Sequence, residues 1–190
     1  MNPLEAEPIV TARLDLVPLG IGHAEEMTEV LADPALHAFI GGLPESAEAL
    51  RARYERLARG CPEPGVSWLN WAVRLRDEDC STGTVQATVT ASGHGRVAEI
   101  AWVVGTAWQG RQGRGIATEA ARGLVGWLDR QSVRTVTAHI HPEHRASEAV
   151  AVAAGLTLTG MWQDGERGWL RPADPQAVDA RANSASPQGS

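Results

Sequence analysis

Hydrophobic and polar positions alternate along some segments of the chain and recur at helical spacing along others. Alternation is typical of strands, and it covers residues 11–19, 70–76, 84–90 and 134–141. Strands are also predicted over the apolar run 97–104 and over 156–162 and 166–170, on either side of a turn. Apolar residues three and four apart are typical of helices, and they cover residues 23–31, 45–59, 117–128 and 145–154. The predicted order is therefore strand, two helices, three strands, helix, strand, helix and two strands.

This order predicts an α/β fold of the mixed α+β kind, in which helices lie on the faces of one mixed sheet. The turn at 91–95 predicts that the strands on either side of it are antiparallel, and Asp164-Gly165 predicts a second hairpin. Residues 97–104 are apolar on both faces except for Glu99, which predicts a central strand covered on both sides.

The composition is that of a single folded domain. The chain has 190 residues, of which 43% are hydrophobic, and this suffices for one core. We expect the domain over 9–171, between a flexible N-terminus (1–8) and a flexible tail (172–190). No apolar run approaches the roughly 20 residues of a membrane helix, and the N-terminus lacks a signal-peptide pattern. We therefore expect a cytoplasmic protein without a membrane partner, in which Cys61 and Cys80 are reduced thiols.

The charged residues exclude several classes of function. The net charge of −6 argues against a nucleic-acid-binding surface. The 17 basic residues are all arginines. A P-loop and lysine Schiff-base chemistry are both excluded, because each requires a lysine.

The segment WQGRQGRGIATEA, residues 108–120, places three glycines and two arginines at the start of a predicted helix. Free N–H groups and the helix dipole favour an anion there, and Arg111 and Arg114 would add charge and hydrogen bonds. The glycines alone leave two interpretations open, a phosphate-binding loop and a loop that only turns a corner. A dinucleotide site fits poorly, because Thr118 stands at the third glycine position of G-x-G-x-x-G.

Residues 112–117, QGRGIA, resemble the Q/R-x-x-G-x-G/A motif of the GCN5-related N-acetyltransferases (GNAT). TARLDLVPL, AEIAWVV and HPEHRASEAVAVAAGL also resemble segments of this family, most closely of the branch that acetylates the N-termini of ribosomal proteins. The similarity covers about residues 9–171 and keeps the order of the segments. It implies the GNAT acyl-CoA N-acyltransferase fold, in which helices flank a central, mostly antiparallel sheet.

The resemblance implies acetyl-CoA as co-substrate, an amine as acceptor and no metal; we expect a monomer or a homodimer. The CoA pyrophosphate would lie at the helix start, and the pantetheine arm would run along 100–104 as an added strand does. The residues implied in acetyl-CoA binding are Ile100, Trp102, Val103, Val104, Arg111, Gln112, Gly113, Arg114, Gly115, Ile116, Ala117, Thr118, His144 and Ser147.

Glu99, Ser147 and His144 are the candidates for catalysis. Glu99 is the only acidic residue of its apolar strand, where reduced hydration would suit a general base, and many family members carry a base at this position. An N–H of the same strand, near Val103, would stabilise the oxyanion. Ala151 stands where many relatives have a tyrosine as general acid. Ser147 would protonate the thiolate, anchor the pantetheine arm or serve only in the first turn of a helix. His144, which replaces a usual asparagine, would donate one hydrogen bond or supply the acid.

Two alternatives of other classes stay open. His139 and His141, with His144 or Glu143 as a third ligand, would make a zinc enzyme. The missing tyrosine and asparagine would suit a non-catalytic acyl-CoA sensor with the same fold.

The motifs identify the donor and leave the acceptor open. A protein N-terminus, an aminoglycoside-like antibiotic and a small metabolite amine are all candidate acceptors. We expect the first two helices, residues 41–44 and residues 164–167 to line the acceptor side. The carboxylates that would meet a cationic amine are Asp33, Glu45, Asp164 and Glu166. The tryptophans that would form an apolar wall are Trp68, Trp102 and Trp108.

Overall fold

The computed structural model describes residues 2–92, 95–109 and 115–172. The strands are β1 Ile9–Val10, β2 Leu14–Pro18, β3 Val66–Leu75, β4 Cys80–Ser92, β5 Gly95–Val104, β6 Val133–Ile140, β7 Thr157–Gln163 and β8 Glu166–Arg171. The α-helices are α1 Ala24–Val30, α2 Pro34–Ile40, α3 Ala47–Ala58, α4 Ile116–Arg130 and α5 Arg145–Ala153. In this part of the chain no helix has the length and apolar character that crossing a membrane requires.

The hydrophobic pattern predicted all of these elements except β1 and α2. Helix α2 has seven residues and one buried side chain, Leu36, so it has no apolar stripe that periodicity could detect. Its start is nevertheless a regular one, because the Asp33 side chain accepts a hydrogen bond from the Ala35 N–H at 2.9 Å and Pro34 occupies the first turn. The prediction of two early helices is therefore wrong by one.

The strands form one sheet in the order β1-β2-β3-β4-β5-β6-β8-β7. Neighbouring strands are antiparallel except β5 and β6, which run parallel and are connected through α4. The Asp164-Gly165 hairpin is confirmed, with positive φ at both residues. A mixed sheet flanked by helices is the predicted fold class, and it is confirmed.

Helices cover both faces of the sheet. Helices α4 and α5 pack on one face, where Trp71 and Trp127 meet with ring centroids 5.3 Å apart. On the other face α1, α2 and α3 form a second cluster: Ala24, Met27, Leu31, Leu36, Leu50, Tyr54 and Ala72. This second layer leaves part of β5 open, since Val97, Glu99 and Ala101 are exposed. The prediction that residues 97–104 are covered on both faces is therefore wrong for this half of the strand.

Close packing positions α4 on the sheet. A Cβ on Gly123 would lie 2.8 Å from Thr11 Cγ2, so a side chain there would push the helix away from the strands. Close packing against the sheet therefore explains the glycine at position 123. It does not extend to Gly126, where a Cβ would meet only the end of the Arg130 side chain, at 3.9 Å.

One carboxylate ties the start of α4 to the first strands. Glu119 accepts hydrogen bonds from Thr11 Oγ1 at 2.6 Å and from the Arg13 backbone N–H and Nε at 2.7 Å each. Burial by itself raises the pKa of Glu119, but these hydrogen bonds and the Arg13 charge together hold the pKa below its ordinary value of 4.5. The TAR of TARLDLVPL and the ATEA of the glycine segment are thus in direct contact.

Glu119→Gln is expected to lower the free energy of unfolding at neutral pH by roughly 1–3 kcal/mol, because it removes a charged hydrogen-bond acceptor. The folded-state pKa is lowered, so the contribution of Glu119 is complete well above pH 4.5 and is lost as the pH falls through the folded-state value. Urea unfolding at neutral and acidic pH measures both effects. Glu48→Gln, in the exposed first turn of α3, is the matched control. Equal losses in the two variants would contradict the anchoring role.

Candidate functional site

The parallel pair β5–β6 is hydrogen-bonded along only part of its length. In the described chain its pairing ends at Glu99 and Thr137. Beyond this point β5 continues beside β4, and β6 continues beside β8. The two strands therefore separate after Glu99 and leave an opening in the sheet toward their carboxyl ends.

A cavity of about 460 Å³ lies at this opening. Its volume is within the range of small-molecule sites, roughly 300–1,000 Å³. The wall on the helical side is mostly apolar and includes Leu19, Leu31, Phe39, Ile40 and Leu57, with Arg53 of α3 as its charged member. The sheet side carries polar groups, among them Asn70, Thr84, Gln86 and Glu99. Such a cavity offers an apolar wall facing a polar floor.

The peptide groups of β5 alternate between its two edges. The N–H of Gly105, directly after β5, donates to a β4 carbonyl at 2.9 Å, so the N–H of Val103 also faces β4. The N–H groups of Trp102 and Val104 face the opening instead. The Val104 carbonyl also faces it and accepts a hydrogen bond from Gln109 Nε2 at 2.6 Å. The backbone donors at the opening are therefore those of Trp102 and Val104, rather than that of Val103.

Glu99 and His139 meet across the opening. The Glu99 Oε1 and His139 Nδ1 atoms are 3.3 Å apart. The Glu99 side chain is 54% exposed, whereas that of His139 is 17% exposed. The expected loss of hydration at Glu99 is therefore wrong for the protein alone, because the face of β5 that carries Glu99 is open.

His144 and Ser147 lie at the start of α5. His144 Nδ1 accepts a hydrogen bond from the Ser147 backbone N–H at 3.1 Å, which makes His144 the N-cap. Ser147 Oγ accepts from Trp102 Nε1 at 3.3 Å and so links α5 to β5. Phe39 of α2 packs against His144 and His141, with centroid distances of 4.2 Å and 5.7 Å. All three candidates for catalysis line the cavity.

Tyr54 of α3 also lines the cavity, although it is only 1% exposed. Its side chain packs in the same cluster as Ala72 and Val103. Among the described residues its hydroxyl has no hydrogen-bond partner, which is unusual for a buried polar group. Burial raises the pKa of the Tyr54 phenol, although the charge of Arg53 acts in the opposite direction. The hydroxyl therefore stays a protonated donor at neutral pH.

The start of α4 is the expected anion site. Gly115 precedes the helix with a φ of 74°, which only glycine adopts readily. The N–H groups of the first helical turn have no intrahelical partner, and these include those of Ile116, Ala117 and Thr118. Four further residues expected to bind acetyl-CoA lie outside the described residues: Arg111, Gln112, Gly113 and Arg114.

The histidines of the alternative zinc site are not arranged as metal ligands. Over the described ranges, no three His, Cys, Asp or Glu side chains are grouped to hold a metal ion. His139 faces Glu99, whereas His141 Nδ1 accepts from the Glu143 backbone N–H at 3.2 Å. The donor arrangement therefore does not support the zinc alternative.

Two of the expected acceptor-side residues, Glu166 and Trp102, line the cavity. Asp33 caps α2, and Glu45 forms an ion pair at 2.7 Å with Arg53, which itself lines the cavity. The predicted tryptophan wall is therefore reduced to one of its three members at this cavity.

Sequence reasoning missed the roles of His139 and Tyr54 in this cavity. His139 alternates with the buried Ala138 and Ile140, so its position on the opposite face of β6 could be inferred. Its meeting with Glu99 could not, because it depends on the register of two parallel strands. Tyr54 had no signal that distinguished it from an ordinary core residue.

Comparisons with known proteins identify the family and the fold. A family model described as the acetyltransferase (GNAT) domain matches residues 13–157. No curated protein matches the chain.

Solved structures share the fold at low sequence identity. The ribosomal L7/L12 alpha-N-protein acetyltransferase in complex with coenzyme A is 18% identical with a TM-score of 0.73, over 88% of this chain and 99% of that chain. The Salmonella typhimurium enzyme that modifies the N-terminal serine of L7/L12 is 17% identical with a TM-score of 0.71, over 88% and 100%. The microcin C7 self-immunity acetyltransferase in complex with acetyl-CoA and AMP is 16% identical with a TM-score of 0.67, over 85% and 93%.

Tyr54→Phe is expected to leave the free energy of unfolding unchanged or to raise it by up to about 1 kcal/mol, because the lost hydroxyl is buried without a partner. Thr82→Val is the matched contrast, since the buried Thr82 hydroxyl donates to the Val73 carbonyl at 3.1 Å. That variant is expected to lose about 1 kcal/mol. Urea unfolding compares the two. A loss in Tyr54→Phe as large as in Thr82→Val would show that the tyrosine hydroxyl is satisfied.

Proposed function

Because the chain belongs to the GNAT acetyltransferase family and is an acetyl-CoA-dependent N-acetyltransferase, we propose that it acetylates a primary amine bound at the opening between β5 and β6. The observation that carries this proposal is the end of pairing at Glu99 and Thr137, which leaves backbone donors, a carboxylate and a cavity at one place. A direct transfer needs all three, because the donor must be held, its carbonyl polarised and the amine deprotonated.

The donor lies along β5 and ends at the start of α4. The pyrophosphate accepts hydrogen bonds from N–H groups of about residues 113–118, where the helix dipole favours an anion. The pantetheine arm follows the open edge of β5 over residues 100–104 and pairs with its backbone as an added strand does. The orientation of the Trp102 and Val104 peptide groups toward the opening supports this path.

The chemistry uses groups from both sides of the opening. Glu99 provides general-base function for the amine, directly or through a neighbouring group. A peptide N–H of Trp102 or Val104 stabilises the oxyanion that forms from the thioester carbonyl. The departing thiolate accepts a hydrogen bond from His144 Nε2 or the Ser147 hydroxyl, both at the start of α5, and a proton from solvent completes the thiol.

A protein N-terminal α-amine is the first acceptor class. Phe39 and Ile40 line the cavity and are also partly exposed, and Leu43 beyond them is 80% exposed, so an apolar surface leads to the cavity. Such a rim suits an extended peptide better than a compact polycation. The two neighbours that act on the ribosomal protein L7/L12 support the same class. A small-molecule amine is the second class, in line with the microcin-immunity neighbour.

Glu99→Gln is expected to lower turnover at least about tenfold while acetyl-CoA affinity changes little, because the carboxylate serves the amine and not the donor. Release of the CoA thiol is followed with a panel of peptides, antibiotics and small amines. Glu63→Gln, an exposed carboxylate before β3, is the control. Unchanged turnover in Glu99→Gln would remove Glu99 from the mechanism. Tight acetyl-CoA binding by the wild type without turnover on any amine would favour the non-catalytic sensor instead.

Gly115→Ala is expected to weaken acetyl-CoA binding at least about tenfold, or ~1.4 kcal/mol, because a methyl group at the helix start would meet the pyrophosphate. Gly60→Ala is the matched control: φ is 74° at Gly115 and 77° at Gly60, and neither added Cβ would have a neighbour within 4 Å. Both variants therefore carry the same backbone strain. Isothermal titration with acetyl-CoA separates them, and equal affinities would refute a pyrophosphate site at this position.

A further inference from the structure

The contact between Glu99 and His139 determines the tautomer of this histidine. An ionised carboxylate can only accept hydrogen bonds, so His139 Nδ1, 3.3 Å from Glu99 Oε1, carries the proton. In the neutral ring Nε2 is then an unprotonated acceptor. The side chain lines the cavity and is 17% exposed, so it is partly shielded from water and still accessible to a bound amine.

His144 is fixed in the opposite tautomer. Its Nδ1 accepts the Ser147 backbone N–H, so Nε2 carries the proton of the neutral ring. His141 is likewise held by a backbone N–H, that of Glu143, on Nδ1. Of the histidines that line the cavity, His139 is therefore the one whose partner leaves a free lone pair on Nε2.

The exposure of Glu99 helps to decide whether Glu99 or His139 accepts the proton of the amine. The Glu99 side chain is 54% exposed and therefore well hydrated, whereas that of His139 is 17% exposed and faces the cavity. An imidazole ordinarily titrates much closer to neutral pH than a carboxylate does and is the better general base there. A carboxylate on Nδ1 stabilises the imidazolium that forms, as in a catalytic triad.

We propose that His139 is the base that removes the proton from the acceptor amine, and that Glu99 acts by holding His139 in the required tautomer and stabilising its charged form. This inference rests on the proposed acetyl transfer. The amine reaches the site as ammonium and loses one proton to solvent. Its nitrogen then attacks the thioester carbon, the new C–N bond forms, and His139 Nε2 takes the second proton. The C–S bond breaks, and the thiolate accepts a hydrogen bond from His144 Nε2 or the Ser147 hydroxyl and takes its proton from solvent. His139 then returns the amine proton to solvent.

His139→Gln and Glu99→Gln are compared singly and combined, with the amine on which the wild type is most active. Removal of a general base is expected to lower kcat about 100-fold or more in His139→Gln. The double variant is expected to lose about as much as the more damaging single variant, because the two side chains act as one unit. Acetyl-CoA affinity by calorimetry should stay within about twofold, which also shows that the variants are folded. His23→Gln, outside the cavity, is the control histidine.

A second measurement separates catalysis from a structural role. His139→Ala leaves space beside Glu99, and added imidazole is expected to restore part of the lost kcat, whereas Glu99→Gln with His139 intact should gain nothing. Wild-type kcat in His139→Gln, additive losses in the double variant, or an absence of rescue each overturns the assignment to His139. If the wild type binds acetyl-CoA but acetylates no amine, the proposed function fails and this inference fails with it.

Discussion

The site depends on one interruption of hydrogen bonding, the point after Glu99 and Thr137 where β5 and β6 cease to pair. If β5 and β6 paired along their whole length, the peptide groups between them would all be satisfied and the sheet would have no cavity at this place. Here β6 keeps a partner on its other side, because β8 pairs with it as far as Ile140. The separation therefore frees peptide groups on the inner edge of β5 without disrupting the rest of the sheet.

Two contacts far apart in sequence hold the elements around this opening. Glu119 fixes the start of α4 to Thr11 and Arg13, and so places the predicted anion site relative to the sheet. At the end of β5, a Cβ on Gly105 would lie 2.5 Å from the Val30 carbonyl oxygen, so glycine lets α1 pack against the strand end. The family resemblance thus includes residues that position the site and need not contact either substrate.

The elements of the fold could be predicted because hydrophobic period is a local property. Strands β2 to β8 and four of the helices follow from alternation, an apolar run, a turn or a helical stripe. Gly155, with a φ of 88°, ends α5, and the Leu156 N–H donates to Ala151 O at 3.0 Å. The failures have a common cause. Short α2 buries too little to have a period, and the open face of β5 depends on where the other helices stop. An apolar strand with one carboxylate looks the same in sequence whether its second face is covered or open.

The candidate site also has parts that the sequence predicts and parts that it does not. Glu99, His144 and Ser147 could be found by motif and do line one cavity, but their protonation depends on partners that no local pattern reveals. His139 and His144, five residues apart, adopt opposite tautomers because His139 faces a carboxylate and His144 faces a backbone N–H. One ring therefore presents a lone pair to the cavity and the other a proton. An acyl transfer to an amine uses both, since a proton leaves nitrogen while a hydrogen bond stabilises the departing thiolate.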